Sequence, residues 1–153
     1  MDCCYFAVAS QASLDEVNRR LQGNGQAAVP MNRFRPNFVI RSDGQEPFIE
    51  DRISSLSIMQ KEDGEERKTA AITLYLTKPC ARCQMPTIDQ DSATVHKGQE
   101  PAKTMRMFRS GKHLQFPRDK WENYYFGMNA VHDNFEGNVI VSKHDTLAVL
   151  YKY

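Results

Sequence analysis

The stretch of greatest chemical interest is a pair of cysteines, Cys80 and Cys83, bracketed by two prolines, Pro79 and Pro86. A run rich in β-branched and aromatic residues, 71–76, precedes it. Because proline fixes φ and has no N–H to donate, each proline is expected to interrupt a regular strand ladder. The sequence therefore predicts that both thiols lie on a shaped loop at the end of a strand, where side chains can be directed at a ligand.

Three interpretations of this cysteine pair are open. A structural zinc site needs a second pair of ligands at similar spacing, but Cys3 and Cys4 are adjacent and the histidines show no close pairing. A dithiol redox pair prefers its first cysteine at a helix N-terminus, and Pro86 with the β-branched residues after it opposes a helix there. In the third interpretation, one thiolate is a soft ligand to a transition metal carried by a bound cofactor.

A second group of polar residues lies upstream, where Arg33, Arg35 and Asn37 directly precede a strand-like run at residues 38–40. On composition alone, this crowding fits a solvated strand end. An anionic cofactor with a terminal phosphate also needs planar, bidentate donors, and arginine provides these better than lysine does. The residues by themselves allow both interpretations.

These segments match, in order, the motifs of a known protein family. Residues 78–91, Lys-Pro-Cys-Ala-Arg-Cys-Gln-Met-Pro-Thr-Ile-Asp-Gln-Asp, resemble the signature loop of MOSC domains, as in the molybdenum-cofactor proteins of the amidoxime-reducing type. Matches also occur at 33–37 (Arg-Phe-Arg-Pro-Asn), at 100–109 (Glu-Pro-Ala-Lys-Thr-Met-Arg-Met-Phe-Arg) and at 126–129 (Phe-Gly-Met-Asn). Four ordered motifs are far more specific than a single Cys-x-x-Cys.

The resemblance implies two catalytic residues. Cys83 is the implied metal ligand, with the molybdenum held by the dithiolene of molybdopterin and by the protein thiolate. A soft sulfur suits this role because it donates electron density to the metal. Asp89 resembles the carboxylate that follows the cysteine in relatives. It is the candidate for a proton donor or for a hydrogen-bond acceptor behind the metal ligand.

The resemblance also implies a cofactor-binding set of four residues. Arg35 and Asn37 occupy the positions that contact the phosphate side of the pterin in relatives. Arg82 and Thr87, on the cysteine loop itself, complete the set. Arg82 is further expected to favour the thiolate form of its neighbour Cys83.

The implied activity is the two-electron reduction of N-hydroxylated or N-oxide compounds. Its electrons would come from a separate redox protein, because the sequence has no flavin or nicotinamide fingerprint and no second iron–sulfur cysteine set. MOSC domains also terminate molybdenum cofactor sulfurases. An alternative is therefore a carrier of sulfur or of molybdenum cofactor that works with a pyridoxal-phosphate-dependent cysteine desulfurase. A further alternative is a truncated domain that has lost the cofactor.

Size and composition fit this picture. A chain of 153 residues can form one domain with a proper core, and the resemblance makes residues 1–153 a single MOSC domain without the N-terminal β-rich lobe of longer relatives. A net charge of +1 gives no indication of nucleic-acid or membrane binding, and no apolar run approaches the ~20 residues of a spanning helix. The acidic N-terminus is unlike a signal peptide, so a cytoplasmic protein with reduced thiols is expected.

Short strand-like runs, close turn signals and two clear helices predict a mainly β fold, a β-barrel with a few accessory helices. The first helix is expected to be capped by Ser13, with Glu16 reaching back, and to end at Gly23. The second is expected to open at Pro101 and to leave Arg109 facing solvent. Strands are expected at 4–9, 38–40, 53–60, 69–76, 126–131, 137–142 and 146–151.

Two further features invite a catalytic interpretation but favour a structural one. Glu50 and Asp51 are adjacent, so at most one of them can face a pocket, and an ion pair with an arginine is expected instead. The aromatic residues at 121 and 124–126 are expected to close the core, with the wall of a substrate pocket as the alternative.

Overall fold

A computed structural model gives the fold and describes residues 6–41, 44–59, 61–62, 65–66, 72–132 and 146–152. Within these ranges the protein is mainly β, with a curled six-stranded sheet that forms a half-barrel, a two-stranded ribbon and two α-helices. The predicted fold class is thereby confirmed. The elements are β1 (Phe6–Ser10), α1 (Gln11–Gly23), β2 (Phe38–Ile40), β3 (Ile53–Met59), β4 (Lys61–Glu62), β5 (Glu65–Glu66), β6 (Ile72–Arg82), α2 (Ala102–Arg109), β7 (Tyr124–His132) and β8 (Thr146–Tyr151).

The six-stranded sheet has the order β2-β1-β7-β6-β3-β8. β1 and β2 are parallel, so the chain between them must cross over, and α1 lies in that connection. The other neighbouring pairs are antiparallel. Because β6 pairs with both β3 and β7, the strand that leads to the cysteine loop is held on both sides by the sheet.

The expected strand positions are largely confirmed. The runs at 4–9, 38–40, 53–60, 126–131 and 146–151 correspond to β1, β2, β3, β7 and β8. The run at 69–76 corresponds to β6 from residue 72 onward, whereas the strand expected at 137–142 lies outside the described residues. No helix in the described ranges has the length and apolar character needed to cross a membrane.

The expected interruption of the ladder near Pro79 is confirmed, but the prediction that both thiols lie on a loop after the strand is wrong for Cys80. β6 continues through Pro79 and Cys80 as far as Arg82, with two register shifts against β7, one of them directly at Pro79. The first shift leaves an extra residue on β6 between Leu76 and Lys78, and the second leaves one on β7 between Tyr125 and Met128. Pro79 thus lies between two bulges, where a residue without an N–H is tolerated. Cys80 therefore lies within a strand, and only Cys83 lies on the loop that follows.

The predicted cap of α1 is also wrong, by one helical turn. Ser10 is the N-cap and its Oγ accepts a hydrogen bond from the amide of Ser13 at 3.1 Å. Glu16 pairs with two arginines one turn further on and does not reach back to the cap. The end of the helix at Gly23 is confirmed. So is its buried apolar face, which consists of Leu14, Val17 and Leu21.

The core has two parts that meet at the sheet. Val8 belongs to one cluster and its neighbour Ala9 to the other, as the alternation of side chains along β1 requires. The second cluster contains Tyr124 and Phe126 of β7, which are at most 1% exposed. Phe34 stacks on Phe126 with ring centroids 4.0 Å apart. The prediction that the aromatic cluster closes the core is confirmed for these residues.

An ion pair joins α2 to the 3-10 turn Ile49–Arg52. Arg109 donates from Nη1 to Asp51 Oδ2 at 2.7 Å, and its side chain is only 7% exposed. The prediction that Arg109 faces solvent is therefore wrong, whereas the predicted ion pair between the acidic segment and an arginine is confirmed. The neighbouring Phe48 ring covers the guanidinium at 4.2 Å.

Glu50 is fully buried beside α1. Ser13 Oγ lies 2.8 Å from both of its carboxylate oxygens. Burial raises the pKa of Glu50, and the hydrogen bonds from its surroundings offset only part of that effect. The ionised carboxylate therefore destabilises the folded state, because the unfolded chain can solvate the charge.

Glu50→Gln should remove this penalty. Below the unfolded pKa of about 4.5 both states of the wild type carry the proton, so the two proteins should then be about equally stable. As pH rises through the raised folded pKa, the wild type loses stability and the variant does not. The variant should gain on the order of 1 kcal/mol by neutral pH. Urea denaturation from about pH 4 to about pH 8 measures it, and a pH-independent difference would contradict the assignment.

Candidate functional site

The candidate site lies where β6 leaves the sheet. Cys83 directly follows the last strand residue, Arg82, and its side chain is exposed. The chain then turns through the 3-10 segment Met85–Thr87. This turn directs the amide of Met85 at Cys83 Sγ, 3.4 Å away. The backbone of the turn therefore supplies a hydrogen-bond donor to the exposed sulfur.

The two thiols of this segment are not placed as a dithiol redox pair. Cys80 and Cys83 are both reduced. Because the strand stays extended to Arg82, three residues at about 3.3 Å each put their Cα atoms roughly 10 Å apart. A disulfide requires a Cα separation below about 7 Å. The backbone would have to rearrange before a disulfide could form, so the geometry favours a single functional thiol.

Arg82 is half-buried, and two backbone carbonyls hold its guanidinium. Its Nε donates to the carbonyl of Phe126 at 2.9 Å, and its Nη1 donates to the carbonyl of Phe34 at 2.7 Å. Its remaining nitrogen, Nη2, is buried with no hydrogen-bond partner. Burial lowers the pKa of Arg82, and negative charge at Cys80, Tyr124 and Cys83 acts in the opposite direction. A buried cationic N–H without a partner, next to an exposed thiol, is a donor available to an anionic ligand.

The arginine-rich segment is bound to this loop. The carbonyl of Phe34 accepts the hydrogen bond from Arg82. The next residue, Arg35, is exposed and has the left-handed conformation, at φ 47°. That backbone conformation is uncommon for a residue with a Cβ. Asn37, in contrast, is tied to β1, because its Oδ1 accepts from the amide of Ala7 at 2.8 Å. Arg35 thus lies next to a residue that contacts the loop, whereas Asn37 is used by the sheet.

Two residues that were not predicted as site residues fix the loop in place. Arg33 is buried and donates from Nη1 to the carbonyl of Pro86 at 3.1 Å and from Nη2 to Asp89 Oδ2 at 2.8 Å. Tyr124 donates from its hydroxyl to the carbonyl of Cys83 at 2.6 Å, and burial raises its pKa to about 12. The sequence carries no signal for either role, because nothing local distinguishes the buried Arg33 from the exposed Arg35.

Asp89 has both oxygens engaged. Oδ2 pairs with Arg33, and Oδ1 accepts from the amides of Asp91 and Ser92 and from the Ser92 hydroxyl. These contacts, foremost those from Ser92, lower the pKa of Asp89. A carboxylate held ionised in this way is a poor proton donor and a good acceptor. Of the two roles expected for Asp89, the geometry favours the acceptor.

Thr87 is 3% exposed, and its hydroxyl donates to the carbonyl of Gln84 at 2.6 Å. In this structure it shapes the turn, and its contact with a cofactor stays a prediction. The structure therefore places Arg82 at the end of β6 and Cys83, Thr87 and Asp89 on the loop that follows. In the described part of the chain, no three His, Cys, Asp or Glu side chains could jointly hold a metal ion. A metal at Cys83 would thus need ligands that the described side chains do not supply.

Comparison with known proteins decides the family. A profile of the MOSC domain matches residues 1–130. The chain belongs to the MOSC domain family. The cysteine loop lies inside the matched range, as do the 3-10 segment Met31–Phe34 and most of β7. The resemblance found in the sequence motifs is thereby confirmed.

Two kinds of curated relative are similar to this chain. The molybdenum cofactor sulfurase of Oryza sativa subsp. japonica is 35% identical over 108 residues, which cover 67% of the chain and 12% of the sulfurase. The mitochondrial amidoxime reducing component 2 of Rattus norvegicus is 33% identical over 108 residues, which cover 71% of the chain and 27% of that protein. The chain thus spans about an eighth of the first relative and about a quarter of the second.

Proposed function

We propose that this MOSC domain binds the molybdenum cofactor through Cys83. On this basis it reduces N-hydroxylated or N-oxide compounds with electrons from a separate redox protein. The observation that carries the proposal is the pairing of an exposed thiol with an unpartnered buried arginine N–H one residue away. The names of the relatives, which include an amidoxime reducing component and a molybdenum cofactor sulfurase, support the choice of cofactor.

The residues present fit the chemistry of this cofactor, which is soft at the metal and anionic at its phosphate. Cys83 offers a soft sulfur ligand, and the amide of Met85 donates a hydrogen bond to it. Arg82 Nη2 offers a desolvated cationic donor, and Arg35 offers a planar donor for the phosphate side. Asn37 and Thr87 complete the proposed binding set.

When bound, the cofactor supplies two-electron redox chemistry at its metal. The protein residues would then hold the cofactor and orient it. Cys83 donates electron density from sulfur, and Tyr124 fixes the backbone of Cys83 through its carbonyl. Asp89, being ionised and fully hydrogen-bonded, orients the loop. The two protons that the two-electron reduction of an N–O bond consumes, as the oxygen leaves as water, would therefore have to come from solvent or from the substrate side.

Turnover with a chemical reductant tests the proposal. The chain, purified from molybdenum-replete cells, should reduce a panel of N-hydroxylated amidines and N-oxides when reduced viologen supplies electrons. It should be inert with NADH or NADPH alone, since it has no flavin or nicotinamide fingerprint. Protein that contains molybdenum but shows no viologen-driven turnover on the whole panel would contradict the reductase function.

The second candidate is a carrier of sulfur or of molybdenum cofactor. It is favoured by the molybdenum cofactor sulfurases among the relatives and by the exposure of Cys83, which could hold a persulfide. A pyridoxal-phosphate-dependent cysteine desulfurase would be its partner. Transfer of labelled sulfur from such an enzyme to Cys83, without turnover in the viologen assay, would favour this function over the first.

A further inference from the structure

We infer that Arg33 and Asp89 form a latch that positions the cysteine loop, so that Asp89 is a positioning residue for Cys83 and not a proton donor. This inference rests on the proposed function, because the position of Cys83 matters only if its sulfur binds the cofactor. The latch itself is a property of the protein alone and can be measured without the cofactor.

The first support is the way Arg33 spans the turn. Arg33 lies on the segment Met31–Phe34, more than fifty residues before the loop, and is 8% exposed. Its two terminal nitrogens contact the carbonyl of Pro86 and the carboxylate of Asp89, which lie on either side of Thr87. A planar guanidinium that donates to two points three residues apart fixes both the position and the orientation of that turn.

The second support is the order that Asp89 imposes on the residues after it. Its other oxygen collects three donors from Asp91 and Ser92. Its amide donates to the carbonyl of Thr94 at 2.9 Å, and the amide of His96 donates to the carbonyl of Thr87 at 2.8 Å. One carboxylate thus joins a closed loop to a buried arginine of a distant segment.

The third support is that Cys83 is held from two sides. Tyr124 binds its carbonyl, and the latch holds the turn that begins two residues later and supplies the Met85 amide to its sulfur. Without the latch, the sheet and Tyr124 would still hold the backbone of Cys83. The Met85 amide, however, would be free to move away from Sγ. The latch therefore sets the surroundings of the thiol more than its attachment to the fold.

Asp89→Asn separates a positioning role of Asp89 from a role as proton donor. Asparagine keeps an oxygen for the amides of Asp91 and Ser92, but its amide group cannot pair with Arg33. In the protein without cofactor, hydrogen–deuterium exchange at the amides of Thr87, Asp89 and His96 should become about tenfold faster, because a charge-assisted contact is lost. Exchange in β1 and β7 should not change. Molybdenum per protein should fall by about fivefold in preparations from molybdenum-replete cells.

Arg33 gives the reciprocal test. Arg33→Met should reproduce the faster exchange, because it removes the contacts with both Asp89 and the Pro86 carbonyl. The double variant with Asp89→Asn should be no worse than Arg33→Met alone, since the contact with Asp89 is already lost there. Arg33→Lys should recover part of the protection, because it keeps the charge but reaches only one partner. Glu46→Gln is the matched control. It removes an exposed pair with Arg52 at 3.5 Å and should change neither exchange nor molybdenum content.

Two outcomes would overturn the latch. One is Asp89→Asn protein that exchanges and retains molybdenum like the wild type yet loses viologen-driven turnover, which would make Asp89 a catalytic residue. The other is additive loss in the double variant, which would mean that the two residues act separately. If the proposed function itself fails, so that Cys83→Ser retains molybdenum, the exchange results still decide the latch.

Discussion

Cys83→Ser is expected to abolish molybdenum retention and to leave the fold intact. Serine is nearly isosteric, but its hydroxyl is neutral and hard at physiological pH, so it cannot replace a thiolate as a ligand to a soft site. Because the Cys83 side chain is exposed, its loss should change the free energy of unfolding by less than about 1 kcal/mol. Elemental analysis of protein from molybdenum-replete cells, with thermal denaturation of the same samples, measures both quantities.

Cys80→Ser is the matched control, since it makes the same sulfur-to-oxygen change three residues earlier, in the strand that leads to the loop. It should leave molybdenum content near that of the wild type. Equal loss from both variants would mean that the two sulfurs act as a dithiol site and would contradict the single-ligand assignment. Full retention by Cys83→Ser would remove the thiolate ligand from the proposal altogether.

The sequence predicted most of the strands well, because strands depend on local pattern. Alternating apolar residues and turn signals located β3, β7 and β8 within a residue or two. The motif spacing placed Arg82, Cys83, Thr87 and Asp89 on one segment, and any loop of that length keeps them close. Features that depend on a short stretch of sequence could therefore be predicted.

The errors have a common physical cause, which is that a distant partner decided the outcome. Ser13 looked like a helix cap, but the buried Glu50 takes its hydroxyl, and Ser10 caps the helix instead. Arg109 looked like a solvent-facing residue, but Asp51 pairs with it in the core. Contacts across 37 and 58 residues leave no trace in local periodicity.

In the candidate site, too, distant contacts determine what each residue does. Arg35 and Arg33 stand two residues apart, and only the tertiary structure buries one and exposes the other. The contact between Arg33 and Asp89 crosses 56 residues. Together with the hydrogen bonds from Ser92, which lower the pKa of Asp89 most, it favours the acceptor among the two roles expected for Asp89. A motif can therefore name the residues of a site before it can assign what each one does.

Gly127→Ala is expected to be the most destabilising single-methyl change in the sheet region. Gly127 has φ +70°, a conformation that disfavours any residue with a Cβ. A Cβ there would also meet the carbonyl oxygen of Val8 at 2.5 Å and Ala9 Cβ at 3.3 Å, both in the neighbouring strand β1. To relieve this overlap, β1 and β7 would have to separate. Phe126, whose carbonyl accepts a hydrogen bond from Arg82, would move with them.

The free energy of unfolding should therefore fall by about 2–4 kcal/mol, and Tm should drop by roughly 5–15 °C. Gly23→Ala is the matched control, because a Cβ at Gly23 meets nothing within 4 Å and the residue ends a regular helix. That change should be neutral or stabilising by up to about 1 kcal/mol. Urea denaturation of both variants measures the contrast. Equal, small effects would mean that β1 and β7 are not packed as closely at Gly127 as the structure has them.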